Sequence, residues 1–259
     1  MPKLRVGIVD YLNSKPLAWG FLKGHHANLF APELHPPARV ARMLATGELD
    51  VGLVPSIELA RIPGLEVLPD LCIAAEHEVR SVLLVAREPL ERVRRVALDA
   101  ASRTSVALLQ ILCAERFGIA PEFTVQPPDV ERMLAGSEAA LVIGDPALSV
   151  DRARWRVHDL AGEWQALTGL PFVFAVWAVR AEVEFPDLAV YFKNSLRHGL
   201  AALDSLVREA AAELGLDTDA IRRYLTEHLR FVLHEPERSA LDEFFVRAHR
   251  HGLIDAVPE

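Results

Sequence analysis

Residues 171–179 read PFVFAVWAV, an apolar run with the length and composition of one fully buried strand. An earlier run, RSVLLVA at residues 80–86, has the same character. Between these two runs lies one block of alternating strand and helix patterns, and another such block precedes residue 80. We therefore expect two lobes with a double crossover. One strand leaves the first lobe near residues 80–87 and one returns near residues 171–180, so that a cleft separates the lobes.

Short apolar runs bounded by turn residues predict the other strands, at residues 4–9, 49–54, 94–100, 122–126 and 139–145. Amphipathic patterns that end in or next to glycine predict helices at residues 38–48, 104–118 and 129–136. This alternation indicates an α/β fold with a mostly parallel sheet. We assign residues 1–86 and 179–259 to lobe 1 and residues 87–178 to lobe 2. Beyond residue 184 the chain is helical, and we expect it to pack onto the first lobe.

Composition narrows the range of functions. The chain has 259 residues, of which 51% are hydrophobic, and a formal net charge of -8. This charge argues against binding to nucleic acid or to an anionic membrane surface, since both need dense basic patches. No apolar run is long enough to span a membrane, and the N-terminus carries no export signal, so we expect a cytoplasmic protein.

The sequence carries no motif for a metal or a nucleotide cofactor. Cys72 and Cys113 stand among apolar neighbours without Cys/His spacing, so we expect two buried thiols. The ten histidines form no recognisable ligand set, and neither a phosphate-binding loop nor a dinucleotide fingerprint is present. The sequence therefore predicts a protein without metal or cofactor.

Polar clusters follow four of the predicted strands, where each strand gives way to a helix. They are YLNS (11–14), VPSIE (54–58), ASRTS (101–105) and GDPAL (144–148). In open α/β sheets ligands bind in the crevice outside the carboxyl ends of the strands, where helix N-termini present free N–H groups. We therefore expect all four clusters to face one cleft.

The ASRTS cluster is the most suggestive of the four. Ser102, Thr104, Ser105 and the first N–H groups of the following helix can hold a carboxylate, and Arg103 adds positive charge. The alternative is that Ser102 caps the helix and Arg103 is solvated.

The other polar candidates also have structural alternatives. Asn13 and Ser14 can form an Asx-type turn before a helix, and Ser56 can cap the segment that follows it. Asp145 can cap a helix or form a wall of a ligand site. Ser81 lies in an otherwise apolar strand, so its hydroxyl needs a partner, either the backbone or a ligand.

With these residues in view, the chain resembles the menaquinone-biosynthesis family of the futalosine route, in its chorismate dehydratase branch. The resemblance spans nearly the whole chain and is carried by VDYLNSKPL, GELDVGLVPSIE, VRSVLLV, SRTSVALLQILC, LVIGDPAL and DLAGEWQALTGLPFVFAVW. It implies a two-lobed fold of the type II periplasmic-binding-protein kind. The implied reaction converts chorismate to 3-[(1-carboxyvinyl)oxy]benzoate and water, without metal or redox change.

Such an elimination needs two carboxylate clamps, a group that stabilises a developing dienolate and a proton donor for the leaving hydroxide. On this basis Asn13 and Ser81 are the candidate catalytic residues. The candidate substrate-binding residues are Tyr11, Ser14, Ser56, Ser102, Arg103, Thr104, Ser105, Gly144 and Asp145. Because these motifs contain no obvious protein base, the enolpyruvyl carboxylate of the substrate itself can serve.

Three other functions are compatible with the same fold. The sister branch of the family makes 1,4-dihydroxy-6-naphthoate, but its members resemble SPCPNDTF at the start and carry a His-Glu pair after the late strand. Here those places read DYLNSKPL and GDPAL. A small-anion binding protein would share the fold, and its transport-linked members need an export signal. A ligand-sensing domain of a regulator would need an attached output module.

Overall fold

The computed structural model describes residues 2–258. In this part of the chain the strands form two five-stranded sheets. The first sheet has the order β2-β1-β3-β10-β4. Its strands are β1 (Leu4–Val9), β2 (Phe30–His35), β3 (Val51–Pro55), β4 (Leu65–Ala75) and β10 (Phe172–Arg180).

The second sheet repeats this arrangement with the order β7-β6-β8-β5-β9. Its strands are β5 (Val82–Ala86), β6 (Arg95–Asp99), β7 (Glu122–Gln126), β8 (Ala139–Ile143) and β9 (Arg156–Asp159). In each sheet the strand next to the last is antiparallel to its neighbours, namely β10 in the first and β5 in the second. The predicted mostly parallel sheet is thus four parallel strands and one antiparallel strand in each lobe.

The sheet pairing differs from the predicted lobe boundaries at both crossovers. The segment 82–86 was assigned to lobe 1, but β5 pairs with β8 and β9 of the second sheet. Residues 172–178 were assigned to lobe 2, but β10 pairs with β3 and β4 of the first sheet. Each of these two strands follows a segment of one lobe and pairs with the sheet of the other lobe, and its apolar sequence does not indicate which sheet it joins. The chain therefore crosses from the first lobe to the second before β5 and returns to the first lobe before β10.

Helices cover both sheets. They are α1 (Lys15–Leu22), α2 (Pro37–Ala45), α3 (Thr104–Leu112), α4 (Val130–Gly136), α5 (Asp145–Leu148), α6 (Leu160–Thr168), α7 (Leu188–Ala201), α8 (Leu203–Leu214), α9 (Thr218–Arg223) and α10 (Glu235–Arg250). Short 3₁₀ turns span Leu12–Ser14, Ser56–Ala60 and Leu90–Arg92, and π-helical turns span Cys113–Phe117 and Tyr224–His228.

The C-terminal helices pack where the sequence predicts, with one addition. Helices α7 and α8 pack on α1 of the first lobe, as expected for outer helices, whereas α10 contacts both β10 and α3 of the second lobe. Aromatic rings fill this junction, with Phe172 stacked edge-on against Trp164 at 5.3 Å and against Phe244 at 5.1 Å. The C-terminal segment therefore ties the two lobes together on one side.

A continuous apolar core runs through both lobes, and a smaller cluster lies under the outer face of the second sheet. Both cysteines are free and buried, which confirms the prediction of two buried thiols. Burial raises the pKa of each thiol, so both stay protonated at neutral pH.

Candidate active site

A cleft lies between the two lobes. It opens at the carboxyl ends of β1, β3, β6 and β8 and at the N-terminus of α3, the location expected for an α/β ligand site. The apolar part of its lining consists of Val9, Pro37, Pro55, Ile73, Val79, Val82, Ala101, Ile143, Phe174 and Ala175. A largely apolar cleft with a few polar groups suits a small organic ligand.

Most of the predicted site residues line this cleft. They are Tyr11, Asn13, Ser81, Ser102, Arg103, Thr104, Ser105 and Gly144. Three predicted residues do not line it, namely Ser14, Ser56 and Asp145. Each of these three has a hydrogen-bond partner within the protein, described below, and these contacts shape or join the elements around the cleft.

Ser14 acts within its own loop. Its hydroxyl lies within hydrogen-bond distance of the Val9 carbonyl and 2.7 Å from the Tyr11 carbonyl. Because the side chain is fully buried beneath the 3₁₀ turn, it holds the loop that carries Tyr11 and Asn13. The turn-forming alternative therefore describes the contacts of Ser14 better than ligand binding does.

Ser56 and Thr104 meet across the lobe boundary. The Ser56 hydroxyl donates to the Val173 carbonyl at 2.8 Å and lies 3.3 Å from the Thr104 hydroxyl oxygen. The same Thr104 oxygen accepts a hydrogen bond from the Ile57 N–H at 3.1 Å. These contacts fix the N-terminus of α3 against the first lobe, which is how a buried Ser56 influences the cleft without lining it.

Asp145 forms a second contact between the lobes. Its carboxylate accepts a hydrogen bond from the Leu12 N–H at 2.9 Å. Burial raises the pKa of Asp145 to about 6, while the Leu12 hydrogen bond and the charge of Lys15 act in the opposite direction. The carboxyl thus titrates close to neutral pH while it joins the loop after β1 to the start of α5.

Gly144 is required by the approach of Tyr11. Its backbone has φ of 68°, in the left-handed region that favours glycine. A Cβ atom at this position would lie 2.6 Å from the Tyr11 ring. Burial, together with the nearby charges of Asp99 and Asp145, raises the pKa of Tyr11, so its phenol stays protonated and can donate to a ligand.

The ASRTS cluster forms the most polar wall of the cleft. Helix α3 begins at Thr104, and Arg103, not Ser102, occupies the capping position with no side-chain cap. The buried Ser102 hydroxyl has no hydrogen-bond partner among the described residues. Arg103 is exposed at the cleft and forms no ion pair within residues 2–258. Unused donors and one guanidinium therefore converge here beside free helix N–H groups.

Asn13 and Ser81 also line the cleft. Ser81 is fully buried, and its hydroxyl oxygen accepts a hydrogen bond from the Tyr224 phenol at 2.8 Å. The Asn13 side-chain oxygen is buried without a hydrogen-bond partner among the described residues. Sequence reasoning anticipated that Ser81 needs a partner but missed Tyr224, because YLTEH has only the spacing of an ordinary amphipathic helix.

A family model described as menaquinone biosynthesis matches residues 4–250. The chain belongs to this menaquinone-biosynthesis family. A protein named chorismate dehydratase from Thermus thermophilus is 34% identical and aligns with 80% of this chain and 83% of its own length. A protein of the same name from Campylobacter jejuni is 26% identical, with 92% of this chain and 94% of that protein aligned. The predicted family membership is confirmed.

Solved structures confirm the predicted fold. A crystal structure of an Archaeoglobus fulgidus protein superposes with a TM-score of 0.81 at 17% identity, covering 97% of this chain and 98% of that one. The periplasmic aliphatic sulphonate binding protein of Escherichia coli superposes with a TM-score of 0.67 at 16% identity, covering 100% and 96%. The two-lobed architecture is therefore of the periplasmic-binding-protein kind.

Within residues 2–258 no group of three or more His, Cys, Asp or Glu side chains is placed to hold a metal ion. Over the same range, no helix has both the length and the hydropathy required to cross a membrane.

Proposed function

We propose that this protein is a chorismate dehydratase, a hydro-lyase that converts chorismate to 3-[(1-carboxyvinyl)oxy]benzoate and water. Membership of the menaquinone-biosynthesis family supports this proposal, as do the names of the two relatives, which align over most of their length. In this proposal the eleven candidate residues form the substrate site, because they line the cleft or hold the elements around it in place.

One observation of the site carries the proposal. Among the described residues that line the cleft there is no Asp, Glu or His, while hydroxyls, an amide and one guanidinium face its apolar walls. A substrate with two carboxylates is costly to bury unless donors or cations pair with it. The donors of the ASRTS cluster and the lack of a competing carboxylate in the lining suit such a dianion.

The reaction itself is an elimination. The C3 proton of chorismate is vinylogously acidic toward the ring carboxylate, and its loss gives a dienolate. The dienolate electrons then return to the ring and expel the C4 hydroxyl, which takes up a proton and leaves as water. The ring becomes aromatic, and this supplies the driving force.

The residues that line the cleft have different roles in this proposal. Ser102, Arg103 and the N-terminus of α3 bind one carboxylate by charge-assisted hydrogen bonds. Asn13 and Ser81 also line the cleft, where their hydrogen bonds stabilise the dienolate and the leaving hydroxide. The proton that the enolpyruvyl carboxylate takes from C3 reaches the leaving hydroxide through the Ser81 hydroxyl, which receives this proton as it donates its own. Preorganised donors of this kind typically contribute about 10²–10³ in rate each.

The base in this proposal is the substrate's own enolpyruvyl carboxylate. It is carried on the ether oxygen of C3, so it reaches the C3 proton intramolecularly and needs no protein carboxylate. A cleft lining without His, Asp or Glu in the described chain supports this assignment.

The test is direct incubation of purified protein with chorismate, with and without a chelator, beside a blank without protein. We expect loss of the cyclohexadiene absorbance and a product lighter by one water, at the same rate with chelator present. Tight binding of chorismate without product would indicate a binding protein instead. Activity that disappears with the chelator and returns with a divalent ion would contradict the metal-free mechanism.

A further inference from the structure

Tyr224 contacts a residue of the cleft but has no part in the proposed mechanism so far. It begins the π-helical turn Tyr224–His228 and is only 3% exposed. Its hydroxyl donates to Ser81 across 143 residues of sequence, at 2.8 Å. A tyrosine hydroxyl this deeply buried needs a hydrogen-bond partner, and here the partner is a side chain that lines the cleft.

The hydrogen bond from Tyr224 leaves the proton of the Ser81 hydroxyl available to the cleft. A serine hydroxyl has one proton and two lone pairs. Because Tyr224 donates its only proton to the Ser81 oxygen, the Ser81 proton does not need to turn toward Tyr224. No other hydrogen bond of the Ser81 hydroxyl occurs within residues 2–258, so this proton is free to point into the cleft.

Asn13 lines the same cleft. Its side-chain carbonyl oxygen is buried and has no hydrogen-bond partner among the described residues. The Ser81 hydroxyl therefore supplies a donor to the cleft, and the Asn13 amide supplies an acceptor. Burial raises the pKa of Tyr224, and its hydrogen bond to Ser81 opposes this shift, so the phenol stays protonated and donates to Ser81.

We infer that Tyr224 is a positioning residue of this enzyme: its phenol orients the Ser81 hydroxyl toward the substrate, without touching the substrate itself. The inference rests on the proposed function, since it assigns Tyr224 a part in the same elimination. Tyr224 comes from the C-terminal segment of the first lobe, and Ser81 lies at the crossover into the second. Correct docking of the C-terminal helices is therefore a condition for the Ser81 hydroxyl to be in place.

The test compares Tyr224→Phe with the wild type in steady-state turnover of chorismate. The substitution removes one oxygen and keeps the ring, so the apolar packing survives. We expect kcat to fall by about tenfold to a hundredfold with KM little changed, because misdirected groups mainly lose their effect in the transition state. Tyr191→Phe is the matched control, since Tyr191 packs by its ring against Phe30 and Phe185 away from the cleft. It should leave both constants unchanged.

A double substitution separates positioning from a general structural role. In the Ser81→Ala background, Tyr224→Phe should cost much less in kcat than it does in the wild type, because the group it positions is already absent. The double variant replaces both hydrogen-bonding partners by apolar groups, so it is expected to fold even if Tyr224→Phe alone does not. In that event the double variant, compared with Ser81→Ala alone, should show nearly the same kcat.

The outcomes are distinguishable. A wild-type protein that does not convert chorismate would overturn the proposed function and this inference with it. An active wild type whose folded Tyr224→Phe variant has normal kcat, or an equal cost of Tyr224→Phe in both backgrounds, would overturn the positioning role alone.

Discussion

Asp145 offers a test of how the two lobes are held together, through the pH dependence of stability. Its carboxyl is partly buried where the start of α5 meets Leu12, and its pKa rises from 3.8 to about 6. The perturbation is Asp145→Asn, which keeps an oxygen to accept the Leu12 N–H and removes the titrating proton. The comparison therefore isolates the ionisation of one interlobe group.

The sign and size of the expected change in stability follow from the linkage between proton binding and folding. Below about pH 4 the carboxyl is protonated in both the folded and the unfolded chain, and its stabilising effect is fully present. As the pH rises through about 6, the folded state is forced to bury an ionised carboxylate, and that stability is lost. A shift from 3.8 to about 6 corresponds to roughly 3 kcal/mol at most, and partial solvent access reduces it to about 1–3 kcal/mol.

The assay is urea unfolding between about pH 4 and pH 8, followed by the fluorescence of the buried tryptophans Trp164 and Trp177. We expect the two proteins to have similar stability at the acid end. The Asn variant should become more stable than the wild type by about 1–3 kcal/mol at neutral pH. Asp255→Asn, at an exposed position, is the matched control and should follow the wild type throughout. Parallel curves for wild type and Asp145→Asn over the whole range would refute the reasoning.

Three further substitutions test the cleft. Asn13→Asp should lower kcat by at least about 10²–10³, because a donor is lost and a negative charge enters a site for a dianion; near-normal turnover by the folded variant would leave Asn13 a turn residue. Arg103→Ala should weaken chorismate binding by about tenfold to a hundredfold, seen in KM, with an unchanged melting temperature; unchanged affinity would mean that Arg103 is simply solvated. Gly144→Ala should lower unfolding stability by about 1–3 kcal/mol, because its Cβ meets the Tyr11 ring. Gly118→Ala has a similar positive φ but open space around it, so it should cost less, and equal losses would contradict the clash.

Sequence patterns identified the central strands and the edge strand β7 but missed the edge strands β2, β4 and β9. The buried runs of β1, β3, β5, β6, β8 and β10 are continuous apolar segments, and each was predicted within a few residues. Strands β2 and β9, at the outer ends of the two sheets, mix polar and apolar residues and leave no such signal. Strand β4 was also missed, because Pro69 and the positive φ of Asp70 interrupt its pattern.

For the candidate site, too, the sequence predicted one part and missed another. The turns after β1, β6 and β8 were predicted to face one cleft because carboxyl ends of parallel strands share an edge, and eight of the eleven candidate residues line it. Their partners were not predictable. The groups that contact Ser56, Asp145 and Ser81 are the Thr104 hydroxyl, the Leu12 backbone N–H and the Tyr224 phenol. They come from the opposite lobe or from the C-terminal segment, and no local pattern encodes such a pairing.

The sequence by itself determined the fold class, the family and the polar turns from which the cleft is built, because buried strands, helix starts and family motifs are local patterns of residue types. The tertiary structure alone decided which sheet receives each crossover strand, because β5 and β10 are equally apolar and only their pairing partners distinguish them. It also decided that Ser56 and Asp145 join the lobes and that Tyr224 lies behind Ser81. These depend on distances between groups far apart in the chain, and such distances are set by the packing of complete lobes rather than by any segment.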